Sequence, residues 1–186
     1  MIWRSFVVLL SLASALPLSA APITYTATLY DAVPVIGSIS QPNGQASNPV
    51  GAVYHSFFAN VGASVTVTGA RLSGPYDMAF WVFSGLFTDT AQFGASFSTS
   101  HPNYIAFGDD ELPPNISGPF GDPRVIFNAP STGFYTVAVT NFASNGTPPY
   151  EFRLTATGVS SSEIPEPGTW GLIGLGIAAL ALLRHR

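Results

Sequence analysis

The chain has 186 residues, no cysteine and only 9% charged residues, with a formal net charge of −4. The lack of cysteine excludes disulfide bonds, thiolate nucleophiles and cysteine metal ligands. Residues 22–163 contain nine acidic residues, three arginines and no lysine, or 3 − 9 = −6. That balance excludes the phosphate-neutralising surface on which nucleic-acid binding depends. The length of this middle part predicts one domain.

Residues 1–21 have the layout of a secretory signal peptide. Arg4 is followed by the apolar stretch SFVVLLSLASALPL and then by the small residues Ser19, Ala20 and Ala21. A short basic start, a short apolar core and small residues at the cleavage site are typical of such signals. A retained N-terminal anchor is the alternative interpretation. We therefore expect the protein to be exported.

Residues 22–158 consist of short segments rich in Val, Thr, Phe and Tyr, separated by Gly, Pro, Asn and Ser. In ITYTATLYD, side-chain alternation predicts that Ile23, Tyr25, Ala27 and Leu29 share one strand face. Seven further segments predict strands: AVYHSFFA, ASVTVTG, MAFWVFSG, NYIAFGD, RVIFNA, GFYTVAVTNF and YEFRLTATG. About eight short strands without helical periodicity predict an all-β fold, an antiparallel sandwich or jelly roll.

Aromatic side chains supply much of the predicted core. The segment of residues 33–49 is expected to be a loop or a loosely attached edge, and residues 159–168 a Ser- and Pro-rich linker. The predicted aromatic core residues are Phe57, Phe58, Phe80, Trp81, Phe83, Phe107, Phe127, Phe134, Tyr135 and Phe152.

Four of these segments carry a family pattern through their order. Residues 56–67 are an aromatic strand, a glycine turn and a Val/Thr strand, and residues 105–111 lead into an Asp-Asp turn. Residues 132–139 read TGFYTVAV, and residues 150–156 read YEFRLTA. Over residues 52–158 the chain thus resembles the pre-peptidase C-terminal domain family of bacterial secreted proteins. The resemblance implies a β-sandwich and an accessory module, some members of which bind calcium or a matrix polymer.

A cluster of acidic residues in the predicted loops forms a candidate metal site. Calcium takes six to eight hard oxygen ligands, and loops at one end of a sandwich can bring carboxylates together. The spacing does not match the 12-residue EF-hand loop. The alternative is ordinary turn chemistry, in which Asp side chains cap turns. The predicted calcium ligands are Asp77, Asp109, Asp110, Glu111 and Asp122.

Catalysis has little support in the sequence. No Ser lies in a G-x-S-x-G elbow, His55 is expected to face solvent from a strand, and His101 precedes a proline in a loop. Adjacent Asp109 and Asp110 on a strand would point to opposite faces, which argues against a glycosidase pair. We therefore expect no enzyme. Trp81 and Tyr104 could form a glycan-stacking surface, with a place in the core as the alternative.

The C-terminal residues have three parts in order. Pro165, Glu166 and Pro167 form a rigid neck, residues 169–183 form a predicted transmembrane helix, and residues 184–186 form a basic tip. The 14 apolar residues from 170 to 183 span about 21 Å as a helix, against a hydrocarbon core of about 30 Å. A plain tail anchor is the alternative interpretation.

This order of triplet, helix and tip resembles the PEP-CTERM sorting signal of Gram-negative bacteria. The resemblance implies recognition of Pro165, Glu166 and Pro167 by an exosortase, a membrane transpeptidase, with Arg184 and Arg186 as the retention tip. It also implies transient anchoring in the inner membrane, release to the surface or matrix, and association with exopolysaccharide and biofilm. We expect an exported, non-catalytic surface or extracellular-matrix protein. A calcium- or glycan-binding module of the same fold is the alternative, and a secreted hydrolase is the outsider.

Overall fold

The structure is a computed structural model that describes residues 20–40, 46–144 and 147–161. The predicted PEP triplet, transmembrane helix and basic tip lie outside these ranges, as does almost all of the predicted signal peptide. Within the described ranges no helix has the length and apolarity needed to cross a membrane.

Nine strands in two sheets make up the described part of the chain. The five-stranded sheet has the order β1-β3-β8-β5-β6, and the four-stranded sheet has the order β2-β9-β4-β7. A 3-10 helix, Thr90–Phe93, lies between β5 and β6. The strands are β1 Tyr25–Thr28, β2 Val35–Ile39, β3 Val53–Ala59, β4 Ser64–Arg71, β5 Tyr76–Ser84, β6 Tyr104–Gly108, β7 Arg124–Asn128, β8 Gly133–Ser144 and β9 Tyr150–Thr157.

The predicted all-β sandwich is confirmed, and each of the eight predicted segments contains a strand. The ninth strand, β2, lies in the segment predicted as a loop or edge. It is one of the two edge strands of the four-stranded sheet, paired antiparallel with β9, and its Ile39 is fully buried. The pairing is not antiparallel throughout, because β1 runs parallel to β3.

The prediction that Ile23, Tyr25, Ala27 and Leu29 share one face of the first strand is wrong. The pairing of β1 with β3 shifts register between Tyr25 and Ala27. Because side chains alternate with period two, one extra residue moves the following side chains to the other face. Tyr25 therefore packs on one side of the sheet, whereas Leu29 belongs to the core on the other side.

The five-stranded sheet is buried on both faces. Alternating residues of β5 show this, since Phe80 and Val82 lie in the core between the sheets while Trp81 and Phe83 lie in a second cluster on the outer face. Burial on both faces explains why β5 is a nearly continuous apolar run. Two of the predicted core aromatics are not in either buried cluster. Phe58 and Phe134 are half-buried and pack edge to face, with ring centroids 5.3 Å apart.

The connection between β5 and β6 covers the outer face of the five-stranded sheet. Its 3-10 helix begins at Asp89, whose carboxylate accepts from the Ala91 amide, while the Gln92 side chain accepts from the Asp89 amide. This reciprocal cap holds a short helix that would not form alone. Phe87, Phe93 and Phe97 of the connection pack against the outer face of the sheet. Together with Tyr54, Trp81, Phe83 and Ala138 they form the outer-face cluster.

The packed domain reaches slightly beyond its last strand. Val159 is buried in the core between the sheets, and the Ser160 amide donates to the Phe58 carbonyl at 2.8 Å. The chain that leads to the PEP triplet thus leaves the sandwich beside β3.

Candidate metal site

Three of the five predicted calcium ligands meet at one edge of the five-stranded sheet. Phe80 of β5 pairs with Gly108, the last residue of β6, so the end of β6 lies next to the start of β5. Asp77 stands near the start of β5, and Asp109 and Asp110 follow β6. One carboxylate oxygen from each of the three lies within 4.8 Å of the others. Asp109 and Asp110 converge because β6 has already ended, so the strand alternation that predicted opposite directions does not apply.

The three carboxylates differ in exposure. Asp77 is 5% exposed, Asp109 is half-buried, and Asp110 is exposed. The Oδ1 atoms of Asp77 and Asp109 are buried, and neither has a hydrogen-bond partner in the described structure. A buried ionised carboxylate without a partner is costly, so these oxygens require a proton or a cation.

The electrostatics agree with that requirement. Burial raises the pKa of Asp77 to about 7, the carboxylates of Asp109 and Asp110 and a hydrogen bond between the Asp77 and Asp109 side chains add to the increase, and Arg71 opposes it. Burial also raises the pKa of Asp109, again with the help of Asp110. The site therefore retains a proton near neutral pH, and a bound cation would take its place because metal ligands must be deprotonated.

The loop from Asp110 to Asp122 holds the exposed carboxylate in place. The Gly121 amide donates to Oδ1 of Asp110 at 2.5 Å, and Leu112 and Asp122 exchange two backbone hydrogen bonds of 2.9 Å. A Cβ atom at Gly121 would lie 2.7 Å from the Leu112 carbonyl oxygen and 2.9 Å from the Asp110 Cα. Only glycine fits this close approach. The sequence contains no signal for it beyond the glycine itself.

The other two predicted ligands, Glu111 and Asp122, form hydrogen bonds that hold the loop in place. Oε2 of Glu111 accepts from the amides of Asp109 and Arg124, each at 2.9 Å. Asp122 accepts from Arg71 Nε at 2.8 Å through Oδ1 and from the Asn115 amide at 2.6 Å through Oδ2. Neither belongs to the convergent group.

Arg71, which sequence reasoning did not select, anchors the loop to β5. It is fully buried, and besides Asp122 it donates to the carbonyls of Tyr76, at 2.8 Å, and Phe120. Tyr76 immediately precedes Asp77, so this guanidinium connects the metal-site strand with the metal-site loop. A signal was present: alternation in SVTVTGAR puts Arg71 on the same face as the buried Val65 and Val67.

The two histidines that the structure describes, His55 and His101, both form contacts within the sandwich domain. His55, expected to face solvent, is fully buried against Phe152, with Thr26 Oγ1 3.3 Å from Nδ1, and burial lowers its pKa to about 4. It lies on the core face because Val53 and Phe57 of the same strand do. His101 donates from Nε2 to the Gln92 carbonyl and accepts at Nδ1 from the Asn103 amide, both at 3.1 Å.

The candidate glycan-stacking residues, Trp81 and Tyr104, belong to the outer-face cluster or pack against it. Trp81 is buried there, its Nε1 donates to the Ala46 carbonyl at 2.6 Å, and its ring lies 6.0 Å from that of Tyr104. The core interpretation therefore holds for Trp81.

The comparisons with known proteins concern the fold and the C-terminus. CorA, a surface-associated copper-binding protein important in copper acquisition by Methylomicrobium album BG8, matches with a TM-score of 0.50 and 10% identity over 72% of this chain and 98% of that chain. At that identity the likeness shows a shared fold alone. The chain has no match among curated proteins.

Two further solved structures are similar. The pre-peptidase C-terminal domain of a collagenase from Bacillus anthracis, from the family that the sequence resembles, matches with a TM-score of 0.42 and 14% identity over 74% of this chain and 100% of that chain. The secreted protein MopE of Methylococcus capsulatus, solved after a mercury soak, matches with a TM-score of 0.48 and 10% identity, over 70% and 86%.

The family model that matches the chain covers its C-terminal residues 163–186 and describes the PEP-CTERM protein-sorting motif. The matched residues include the triplet, the apolar stretch and the basic tip. The chain therefore ends in a PEP-CTERM protein-sorting motif.

Proposed function

We propose that this chain is an exported, non-catalytic protein of the cell surface or extracellular matrix, whose sandwich binds calcium through Asp77, Asp109 and Asp110. The sorting motif supports transient anchoring in the inner membrane and processing by an exosortase near the PEP triplet. The same motif supports an association with exopolysaccharide and biofilm.

One observation carries the calcium proposal. Asp77 is 95% buried, its Oδ1 lacks a hydrogen-bond partner, and its carboxylate faces those of Asp109 and Asp110 within 4.8 Å. Three carboxylates at this separation repel one another, and their repulsion is relieved when a divalent cation binds between them. The donors are all carboxylate oxygens, which suit calcium.

Copper is the competing metal, because the fold is shared with a copper-binding protein. Copper prefers imidazole, thiolate or thioether ligands. The chain has no cysteine, and the two described histidines, His55 and His101, lie outside the carboxylate group. The oxygen-only donor set therefore favours calcium.

The non-catalytic proposal rests on the two histidines. His55 is buried and its pKa is lowered to about 4, so the ring is neutral and has no contact with solvent. Both ring nitrogens of His101 are engaged with backbone groups. A general base needs a ring nitrogen that can reach the proton it removes, and both rings lack one, His55 through burial and His101 through its two hydrogen bonds.

Thermal unfolding of the full-length chain in detergent tests calcium binding. At a calcium concentration about 100-fold above Kd, binding stabilises the folded state by about 2.7 kcal/mol, which corresponds to a Tm increase of about 5–10 °C. Asp77→Asn and Asp109→Asn should abolish the calcium-dependent shift. Glu151→Gln, an exposed acid on β9, is the matched control and should retain it.

An unchanged Tm at millimolar calcium would refute the calcium site, as would an equal shift in Asp77→Asn. A larger shift with copper(II) that Asp77→Asn leaves intact would favour a different metal at a different site.

The mass of the mature protein from cells tests the sorting proposal. A C-terminus near residues 165–167 is expected for the natural sequence, and Glu166→Ala should leave the chain intact. A natural chain that ends at Arg186 at the cell surface would refute processing.

A further inference from the structure

We propose that calcium bound at Asp77, Asp109 and Asp110 is open on its solvent side and there binds a neutral glycan through two adjacent hydroxyl groups. This inference rests on the calcium site proposed above. It adds a ligand class to that site.

The number of protein ligands leaves the ion incompletely coordinated. With one oxygen counted from each aspartate, the protein supplies three ligands, whereas calcium takes six to eight. Glu111 and Asp122 do not belong to the convergent group, and their carboxylates already accept hydrogen bonds from the loop backbone and from Arg71. About three to five positions are therefore left for water or for oxygens of a ligand.

The burial of the three aspartates indicates on which side of the ion the unfilled coordination positions lie. Asp77 lies at the closed end of the site and is 5% exposed, whereas Asp110 is exposed. The unfilled positions of a bound ion thus face solvent on the Asp110 side.

The charge of the site selects a neutral ligand. Three carboxylates and one Ca²⁺ carry a formal charge of −3 + 2 = −1, and Glu111 lies directly beside them in sequence. The guanidinium of Arg71 is already paired with Asp122. Among the described residues, Arg71 is the only cation that acts on the pKa of Asp77 and none acts on that of Asp109, so a second anionic group is disfavoured by like-charge repulsion. Hydroxyl groups bring oxygen ligands without charge, and adjacent hydroxyls of a sugar occupy two positions at once.

An exposed aromatic ring lies on the neighbouring strand. Phe142 of β8 is 49% exposed. Asp77 pairs with Ala143 and Met78 pairs with Asn141, so Phe142 is the extra residue of a bulge directly opposite Asp77. Exposed aromatic rings next to polar ligands are suited to contact the apolar face of a sugar ring. Phe142 therefore lies across β5 from Asp109 and Asp110, so a sugar bound to the ion must extend over Asp77 to reach the ring.

Terbium luminescence tests the inference on the full-length chain in detergent. Tb³⁺ takes the same hard oxygen ligands as Ca²⁺, and its excited-state lifetimes in H₂O and D₂O count the waters bound to the ion. The expected count is about three or more, because the terbium shell is at least as large as that of calcium. Neutral methyl glycosides with adjacent hydroxyls, such as methyl mannoside, galactoside and glucoside, are then added. At least one of them should displace about two waters.

Two controls accompany this measurement. The per-O-methylated form of the active glycoside should displace none, because its ether oxygens are weak ligands. Phe142→Ser should leave terbium affinity and water count unchanged and should weaken glycoside binding about tenfold or more.

The outcomes separate this inference from the calcium proposal. Terbium binding that is insensitive to Asp77→Asn, or no binding, would overturn the calcium site and this inference with it. Binding with none or one coordinated water would leave calcium intact and overturn the open site. A full water count that no neutral glycoside lowers would overturn the glycan. With Ca²⁺ in place of terbium, a larger Tm increase with glucuronate than with any neutral glycoside would overturn the selection by charge.

Discussion

Arg71 and Asp122 form a buried ion pair, with Nε of Arg71 2.8 Å from Oδ1 of Asp122 and side chains that are 0% and 3% exposed. The pair joins the last residue of β4 to the end of the loop that positions Asp110. Arg71 also donates to the Tyr76 carbonyl next to Asp77. The geometry of the carboxylate site thus depends on an interaction that contains none of its ligands.

Arg71→Met is expected to lower the free energy of unfolding by about 3–5 kcal/mol, because it leaves the buried Asp122 carboxylate without its counter-charge. Urea unfolding of the variant and the natural sequence measures this loss. Arg124→Met is the control, since Arg124 is exposed, and should stay within about 0.5 kcal/mol. Addition of Asp122→Leu to Arg71→Met should restore part of the stability, because the unpaired buried charge is removed. A loss below 1 kcal/mol in Arg71→Met would contradict a structural role for the pair.

The raised pKa of Asp77 predicts a pH-dependent stability without calcium. The folded state binds this proton up to pH about 7, whereas the unfolded state loses it near pH 3.8. The contribution is therefore complete below pH 3.8 and is lost as the pH rises through about 7. Asp77→Asn should reduce this decline, as measured by urea unfolding in EDTA between pH 4 and 8, and the raised pKa of Asp109 accounts for the part that remains. Asp31→Asn, which alters an exposed acid, should retain the decline.

The lowered pKa of His55 predicts the opposite slope. The unfolded state takes up a proton near pH 6.5, whereas the buried ring in the folded state does so only near pH 4. Stability is therefore present above pH 6.5 and is lost as the pH falls through about 4. His55→Gln should reduce the loss of stability at acid pH. The loss of stability at higher pH that is caused by Asp77 should remain visible in the same titration. An unaltered acid limb in His55→Gln would show that the ring is not the titrating group.

Most of the strands could be predicted because their sequences alternate. YEFRLTATG keeps period two over the length of β9, and GFYTVAVTNF keeps it in β8 up to the bulge at Phe142. β2 could not be predicted in the same way, since Gly37 interrupts VIGSI. The structure explains that glycine, because a Cβ there would lie 2.4 Å from the Phe152 ring. Local composition indicated a loop where a tertiary contact requires a small residue.

The site was predictable only in part, for a reason of geometry. The sequence shows which acids lie in loops, but not which of them have another donor nearby. Asp122 and Glu111 resemble Asp109 and Asp110 in type and position. In the structure, however, Asp122 accepts a hydrogen bond from Arg71 and Glu111 accepts one from the amide of Arg124. Only the alternation in β4 indicated a buried arginine, and that arginine determines the role of Asp122.

Asn141→Leu is expected to stabilise the protein by about 1–3 kcal/mol. Asn141 is fully buried opposite Met78, and both polar atoms of its side chain lack a hydrogen-bond partner in the described structure. A leucine of similar size removes the cost of that unsatisfied amide. Thr140→Val is the matched control on the same strand, and should destabilise by about 1 kcal/mol because Thr140 donates to the Ala79 carbonyl. A lower Tm for Asn141→Leu would contradict the unsatisfied state of the amide.

Gly121→Ala should weaken calcium binding about 10- to 100-fold, which is the usual cost of the loss of a group that orients a metal ligand. The added methyl group would lie 2.7 Å from the Leu112 carbonyl oxygen, so the loop must move and carry the amide away from Asp110. Gly118→Ala in the same loop meets only Arg71 Nη1 at 3.5 Å, an ordinary contact, and should bind calcium as the natural chain does. Calcium titration followed by Tm compares the two variants. Equal affinities would mean that the loop does not position Asp110 for the ion.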